Sequence, residues 1–586
     1  MSRGLPVYPF DEERWIGSVC EAGPATARAN LPKAAMPEGQ WLYGHKLGAG
    51  EVGEFVFLEC GEFAVFGRII NVNLPERDRL SVEPEMGKAV EAHPIGTIQL
   101  LATVVVGDGR VRGGVSLHPR LGAKVYSAHP SLIKWIAESA QAADGPADPL
   151  VVTLGLLPTA SETSVNFTPE RLFGRHCAVL GATGGGKSWT VARLIEELRH
   201  HSAKAILFDA TGEFYTLKSG VRHVYMGGGE AAPAGSTQVV FPYAELTESD
   251  LFALFRPSGQ AQGPRLRTAM KSLKLAKLCP EAWPKGHIPK AGQAKAQYYE
   301  KYGQHARALE ERYADFDITH LVLQITHECV WPNGGQQGSD LKIWGPQDQK
   351  ELGYCISLFT RIEQMLTSSE LECVFRPAGK PSIRAEIDSF LSDPQEQIMR
   401  LSLKNLSFEY STREIVVNAI GRHLLDLGRT GRFRSQPVVI FVDEAHQFLS
   451  KQLGDENTRY PLDSFELIAK EGRKFSLNIC ICTQRPRDIP EGVLSQMGTM
   501  IVHRLTNDKD REIVERASGE IDQSAAAFLP TLAPGQAIVI GIDLPMPLTI
   551  QVTEPEQKPD SRGPNYQSFW RAKVGAEAAQ DPPEPA

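Results

Sequence analysis

The residues best equipped for chemistry are Gly181-Ala-Thr-Gly-Gly-Gly-Lys187-Ser188. Gly181, Gly184, Gly185 and Gly186 free backbone N–H groups to wrap an anion. Lys187 supplies a positive charge for β- and γ-phosphates, and the Ser188 hydroxyl suits a magnesium ion. Such a loop needs a strand before it and a helix after it, and the apolar HCAVL and the helix-patterned WTVARLIEELRH supply both. An ordinary glycine turn is the competing reading, and the full spacing in this context argues against it. A site for ATP and Mg2+ is the expectation.

A second constellation closes the apolar run Val438 to Val442 with Asp443 and Glu444. Carboxylates at the tip of a buried strand beside a phosphate loop can hold the magnesium shell and activate the attacking water. Asp443 is therefore assigned to the metal, with Ser188, and Glu444 to the water. Asp209 ends AILFD, with Glu213 one turn on, and Gln484 follows NICICT, where its amide can read the γ-phosphate or position the water. Each of these three has a plainer role open to it, as a loop residue satisfying backbone groups. Ring-forming motors commonly complete the site with an arginine from the neighbouring subunit. Arg473, in IAKEGRKFS, is the first candidate and Arg175, beside the strand entering the glycine loop, is the second. A surface or salt-bridged arginine is the alternative for both.

These side chains need strands whose ends share one edge. From Val151 apolar strands alternate with helices, the strands being His176 to Leu180, Ala205 to Phe208, Ile398 to Leu403, Val438 to Val442, Ile479 to Thr483 and Thr499 to Leu505. That alternation predicts an α/β fold with a parallel sheet covered on both faces and ligands at its carboxyl ends. Residues 1–150 alternate at the strand period instead, at Val52 to Leu58, Ala64 to Val72 and Ile98 to Val106, with a strong helix only from Pro130 to Ala142. They read as a small N-terminal β-barrel or sandwich serving assembly, without a chemical motif of its own. Residues 244–394 are polar and mainly helical and read as an insertion between two parts of the motor, 151–243 and 395–552. Residues 553–586 are Pro-rich and read as an extended arm with a disordered end.

The chain has 586 residues, 42% hydrophobic and 23% charged, enough for several cores. Its apolar runs stay below the ~18 residues of a membrane span. Its opening, MSRGLPVYPFDEERW, lacks the apolar stretch of a signal peptide, so a cytoplasmic address is expected. Nine cysteines without a CxxC pair indicate neither a disulfide framework nor a structural zinc site; Cys480 and Cys482 read as small buried hydrophobes. A net charge of −8 excludes a uniformly basic nucleic-acid coat but leaves room for a local basic channel.

Taken together, GATGGGKS, FDATGEF, VVIFVDEAHQFL, AKEGRKFSLNICICTQRP and IVHRLTNDKD resemble the HerA ATPases, relatives of the FtsK DNA pumps. The resemblance spans about Arg171 to Val552, and weakly the N-terminal β region and the arm. It implies a RecA-like P-loop motor assembled as a homo-hexamer, with ATP at each interface, an arginine acting in trans, and double-stranded DNA driven through a pore. It also implies partners such as a nuclease or, in bacteria, a defence effector, an NAD-consuming one among them. The chain departs from the family pattern in the long 244–394 segment and in a long loop between Phe448 and Phe465.

For DNA contact, Arg267, Lys271 and Lys274 share one helical face, with Arg265 and Lys277 nearby; Lys451 and Arg459 are alternatives. A solvated charged face is the plainer reading of such a run. Against the translocase stands a ring-shaped scaffold whose nucleotide state gates an effector. A secretion motor of the conjugation type fits less well, since membrane segments are lacking.

Overall fold

A computed structural model of the chain describes residues 4–35, 40–42, 45–74, 94–139, 149–228, 234–377, 379–449, 451–453, 460–518, 523–542 and 544–561, with Tyr566 and Trp570. The N-terminal region is built from β1 (Trp15–Ala22), β2 (Thr26–Asn30), a hairpin of β3 (Gln40–Leu42) and β4 (His45–Leu47), β5 (Phe55–Cys60), β6 (Phe63–Asn73), β7 (Ile95–Val105), β8 (Val111–Gly113) and β9 (Lys124–Ser127). Strand order β2-β1-β9-β5-β6-β7-β8, with β2 also paired to β7, closes six antiparallel strands into a barrel and leaves β8 outside. Alternation sorts the side chains. Val56, Leu58, Val65, Ile98 and Val125 fill one core, while Phe57, Phe66, Leu101 and Tyr126 turn outward. Those outward side chains belong to one continuous apolar core that also includes Leu132 and Ile136 of α1 (Pro130–Ser139) and Val191, Leu194, Ile195 and Leu198 of α3 (Lys187–Arg199), so barrel and motor share it.

The motor sheet has twelve strands among the described residues. Eight run parallel, in the order β21 (Thr499–His503), β12 (Cys177–Leu180), β20 (Leu477–Thr483), β17 (Val438–Val442), β13 (Lys204–Asp209), β16 (Ile398–Ser402), β14 (Val221–Met226) and β15 (Thr237–Val239). Beyond β21 lie four antiparallel strands, β22 (Gln536–Gly541), β23 (Leu548–Val552), β10 (Val152–Leu157) and β11 (Ala160–Phe167). The parallel sheet expected from sequence is present, and two antiparallel hairpins extend it at the β21 edge into a mixed sheet. Within each added hairpin the pairing is local, but the two hairpins join each other through β10 and β23, partners remote in sequence that a local pattern does not reveal. The six predicted motor strands are all present.

Residues 244–394 are helical: α4 (Glu248–Phe255), α5 (Gly259–Leu278), α6 (Ala296–Gln304), α7 (Ala306–Leu309), α8 (Leu321–Glu328), α9 (Gln349–Thr367), α10 (Glu372–Phe375) and α11 (Ile383–Ser392). They do not form a detached satellite. Leu251, Phe255, Met270, Leu358 and Ile387 belong to the same core as Ile206, Phe208 and Leu401 of the sheet. A smaller core around Tyr298 and Trp344 encloses a buried ion pair, Lys290 Nζ to Glu328 Oε2 at 2.5 Å, with the ammonium over both rings. Past α12 (Thr412–Arg429), α13 (Ser464–Glu471) and the short α14 (Glu491–Leu494), α15 (Asp508–Ser518) and α16 (Gln523–Phe528) return the chain to β22. After β23 residues 553–561 run beside α3. The Gln557 side-chain oxygen accepts from Arg199 and from the Lys218 N–H, and the Asp560 N–H donates to the Glu213 carbonyl at 2.9 Å. The disordered end expected of the arm lies outside the described residues.

Candidate nucleotide site

Register brings the predicted residues to one edge. Leu180 is level with Thr483 and Val502, and Val442 with Ile481 and Phe208. The loops that follow these residues carry Gly181, Gln484, Asp443 and Asp209.

Between β12 and α3 the glycine loop sits against His503. A Cβ on Gly181 would lie 2.6 Å from His503 Cβ, and one on Gly186, at φ 112°, would come 3.2 Å from both the His503 ring and Gly535 Cα. The imidazole is fully buried. Its Nδ1 is 2.9 Å from the Gln536 carbonyl, which can only accept, so Nδ1 carries the proton and Nε2 accepts from the Thr190 hydroxyl at 2.8 Å. Burial, with Lys187 nearby, pushes its pKa down to about 4. His503 is a functional neighbour that sequence reasoning missed, and its place in IVHRL, at the end of an apolar strand, was the available signal.

Lys187 is buried, and its Nζ donates to the Ala182 carbonyl at 3.0 Å. The Ser188 hydroxyl donates to Glu213 Oε2 at 3.1 Å, and Thr183 Oγ1 donates to Gln484 Oε1 at 2.5 Å. Glu213 and Gln484 therefore touch the glycine loop and the helix turn that follows it. Burial, and the charges of Asp209 and Glu444, hold the Glu213 carboxyl above the usual range.

Asp443 is buried, and its carboxyl is pushed well up, first by burial and then by Asp209, Glu444 and Glu213. Glu444 adopts a left-handed backbone, φ 46° and ψ 46°, a strained choice for a side chain with a Cβ. Its Oε2 is shielded from solvent and makes no hydrogen bond. His446 Nδ1 lies 3.3 Å away but is misaligned, and shares a 3.1 Å contact with Thr483 Oγ1. Among the described residues no three His, Cys, Asp or Glu side chains form a metal cage.

Asp209 is differently employed. Its Oδ1 accepts from the Gly212 N–H at 2.7 Å, and its Oδ2 from the Phe214 N–H at 3.1 Å and from Arg400 Nε at 2.7 Å. Both oxygens are engaged in shaping the loop that presents Glu213, the plainer of the roles open to it. Arg473 is exposed at the start of β20, and Arg175 precedes β12, both at the end of the sheet opposite the glycine loop. Six residues of strand span roughly 20 Å, beyond the reach of either side chain, so neither serves the glycine loop of its own chain.

The basic stripe on α5 is occupied within the chain. Arg267 meets Glu248 at 2.5 Å and Lys271 meets Glu310 at 2.5 Å, Lys274 donates to the Glu311 carbonyl at 2.6 Å, Arg265 meets Glu351 at 3.3 Å, and Lys277 pairs with Asp315. This favours the plainer reading, a charged face satisfied within the chain, with partners supplied by other segments. The side chain of Lys451, and all of Arg459, lie outside the described residues.

Both halves of the motor have counterparts among known proteins. Residues 152–328 match the family model described as the central domain of helicase HerA, and residues 425–547 the HerA-like helicase C-terminal model, together just over half of the chain. A Methanocaldococcus jannaschii protein named "Probable helicase" is 23% identical over 539 residues, 89% of this chain and 90% of that protein. The DNA double-strand break repair helicase HerA of Pyrococcus furiosus is 22% identical over 475 residues, 78% of this chain and 77% of that one. Among solved structures, the conjugative coupling protein TrwB superposes with a TM-score of 0.41 at 14% identity, covering 73% of this chain and 93% of TrwB. VirB4 of Thermoanaerobacter pseudethanolicus gives 0.42 at 14% identity, covering 73% and 100%. Among the described residues no helix is long and apolar enough to cross a membrane. With both halves of the family's motor matched within one chain, the protein belongs to the HerA family and is an ATP-hydrolysing enzyme of the P-loop fold.

Proposed function

We propose that the protein is a magnesium-dependent ATPase that works as a hexameric ring to translocate double-stranded DNA, alongside a nuclease or defence effector. The observation that carries this reading is the convergence of Lys187, Ser188, Glu213, Asp443, Glu444 and Gln484 at one edge of the sheet. DNA as the track comes from the relatives, which are named as DNA repair helicases.

The backbone of Gly181 to Gly186 and the Lys187 ammonium bind the phosphates. Ser188 and Asp443 are the groups to hold magnesium; the surplus of carboxylates that raises Asp443 suits a cation there. Magnesium held by these two groups would supply positive charge against the phosphates. Glu444, at the tip of β17 beside Asp443, takes the proton of the attacking water. Gln484, tied to Thr183, reports the state of the glycine loop to β20. Arg473 of one subunit completes the site of the next, because its own site is out of reach. The barrel serves assembly and effector docking.

The scaffold reading keeps one observation in its favour: side chains of the barrel and of α3 belong to one continuous apolar core, a route by which nucleotide-driven movement of that helix reaches a docking surface. Steady-state ATP turnover with and without duplex DNA, together with displacement of a third strand from duplexes of increasing length, separates the two. Translocation predicts a displacement time that grows with length. Length-independent behaviour with unstimulated turnover refutes it.

A further inference from the structure

The chain between β16 and α12 offers a contact surface that the site above does not use. This loop, Leu403 to Ser411, leaves the sheet at the same edge as the carboxylates. Tyr410 and Ser411 both adopt left-handed backbone, φ 55° and 57°, which residues other than glycine take up only where their surroundings impose it. Arg256 donates to Ser411 Oγ at 2.9 Å, Thr412 Oγ1 to the Glu409 carbonyl at 2.8 Å, and Ser407 to Glu370. The outcome of this bracing is an aromatic side chain held out of the core, Phe408, 65% exposed. Lys404, at the loop's start, is also exposed and has no hydrogen-bond or ion-pair partner among the described residues. The contrast with α5 is direct, since each basic side chain considered there is engaged.

The root of this loop touches the catalytic edge. The Lys404 stem lies on Gly212, where an added Cβ would come 2.8 Å from Lys404 Cδ. Arg413, in the first turn of α12, is buried; its guanidinium lies 4.6 Å from the Phe408 ring and 5.6 Å from the Phe448 ring and donates to the Ala210 carbonyl. Ala210 follows Asp209, and Phe448 lies four residues after Glu444. One side chain thus joins the exposed loop to the loops that follow β13 and β17.

Resting on the DNA-motor reading, we propose that Leu403 to Ser411 is a DNA-contact loop, with Lys404 on a backbone phosphate and Phe408 against the adjoining sugar. Arg413 is then the positioning residue that carries the loop's movement to the carboxylates. A cation left open to solvent beside an exposed ring matches a polyanion with apolar patches between its charges.

The test uses the full chain, a duplex of mixed sequence, and the variants Lys404→Ala, Phe408→Ala, Phe408→Tyr and Arg413→Lys. Lys404→Ala lowers the slope of log affinity against log salt by about 0.9 for each phosphate it no longer neutralises. Phe408→Ala weakens binding several-fold and Phe408→Tyr restores it. Arg413→Lys keeps duplex affinity but loses most of the stimulation of ATP turnover by DNA. Wild-type slope and affinity in both Lys404→Ala and Phe408→Ala overturn the contact. Full stimulation in Arg413→Lys, or loss of affinity in step with stimulation, overturns its coupling role. A wild-type chain that neither binds nor responds to duplex overturns the DNA-motor reading itself, an outcome distinct from the others.

Discussion

Acid should weaken this protein through His503 in a way that can be isolated. The buried ring is neutral, with a pKa of about 4 against an ordinary 6.5. Below pH 6.5 the unfolded chain binds a proton at this position that the folded chain does not, so stability falls as pH drops, until the loss levels off below pH 4. At pH 5 the difference amounts to about 2 kcal/mol, and near pH 4 it approaches 3. The physical cause is plain. A protonated ring would carry its charge into a site shut off from water and close to Lys187. Raised carboxyls such as Asp443 and Glu213 act in the opposite direction, gaining stability as pH falls, and other buried histidines add to the loss. A variant cancels these shared contributions. His503→Gln keeps a donor for Gln536 and removes the titration. Urea unfolding at fixed protein concentration should show the variant less stable at pH 7, by about 1–3 kcal/mol for imperfect pairing. The gap to wild type should then narrow by about 2 kcal/mol at pH 5. A gap that stays constant from pH 7 to pH 5 refutes the assignment of a neutral, acid-resisting His503.

Lys187→Ala should abolish ATP turnover with the fold intact by circular dichroism, whereas Glu444→Gln should still bind nucleotide and stall; turnover near wild type in either removes that residue from its role. Mixing Arg473→Ala with Lys187→Ala subunits should recover some activity, since certain interfaces then pair an intact glycine loop with an intact arginine. Mixed rings with no recovery argue against action in trans. Glu328→Ala should cost the helical region about 3–5 kcal/mol by leaving Lys290 buried and unpaired. The double change Lys290→Met with Glu328→Met should recover much of that in the same urea titration, and equal losses would show that the ion pair is not the cause.

The glycine loop, the acidic strand end and Gln484 were legible in sequence because each is a short run whose context lies within a few residues of it. The partners that give them their roles were not. Thr190 meets His503 across 313 residues and Arg400 meets Asp209 across 191, distances at which one sequence carries no pairing signal. Asp209 consequently reads as a catalytic candidate in sequence, where nothing marks Arg400 as the side chain that occupies it. The pairing of the α5 stripe within the chain was hidden for the same reason. Spacing shows that Arg267, Lys271 and Lys274 share a face, but Glu248 and Glu310 reach that face from elsewhere. The barrel was legible as strands, by alternation. Its common core with α3 was not, because Phe57 and Phe66 join Val191 and Leu194 from segments remote in sequence.

The pairing of β10 with β23 joins Gly155 to Val552 and Leu156 to Gln551. On a ribosome this means that the hairpin of β10 and β11 emerges early and then waits for about 400 residues of further synthesis, which at 5–20 residues per second takes roughly 20–80 seconds. Throughout that interval one strand edge is open to pairing with whatever chain is nearby. The nascent protein is thus exposed until nearly all of its sheet has been synthesised, and slowing its synthesis should cost more soluble product than slowing that of a protein whose sheet closes early.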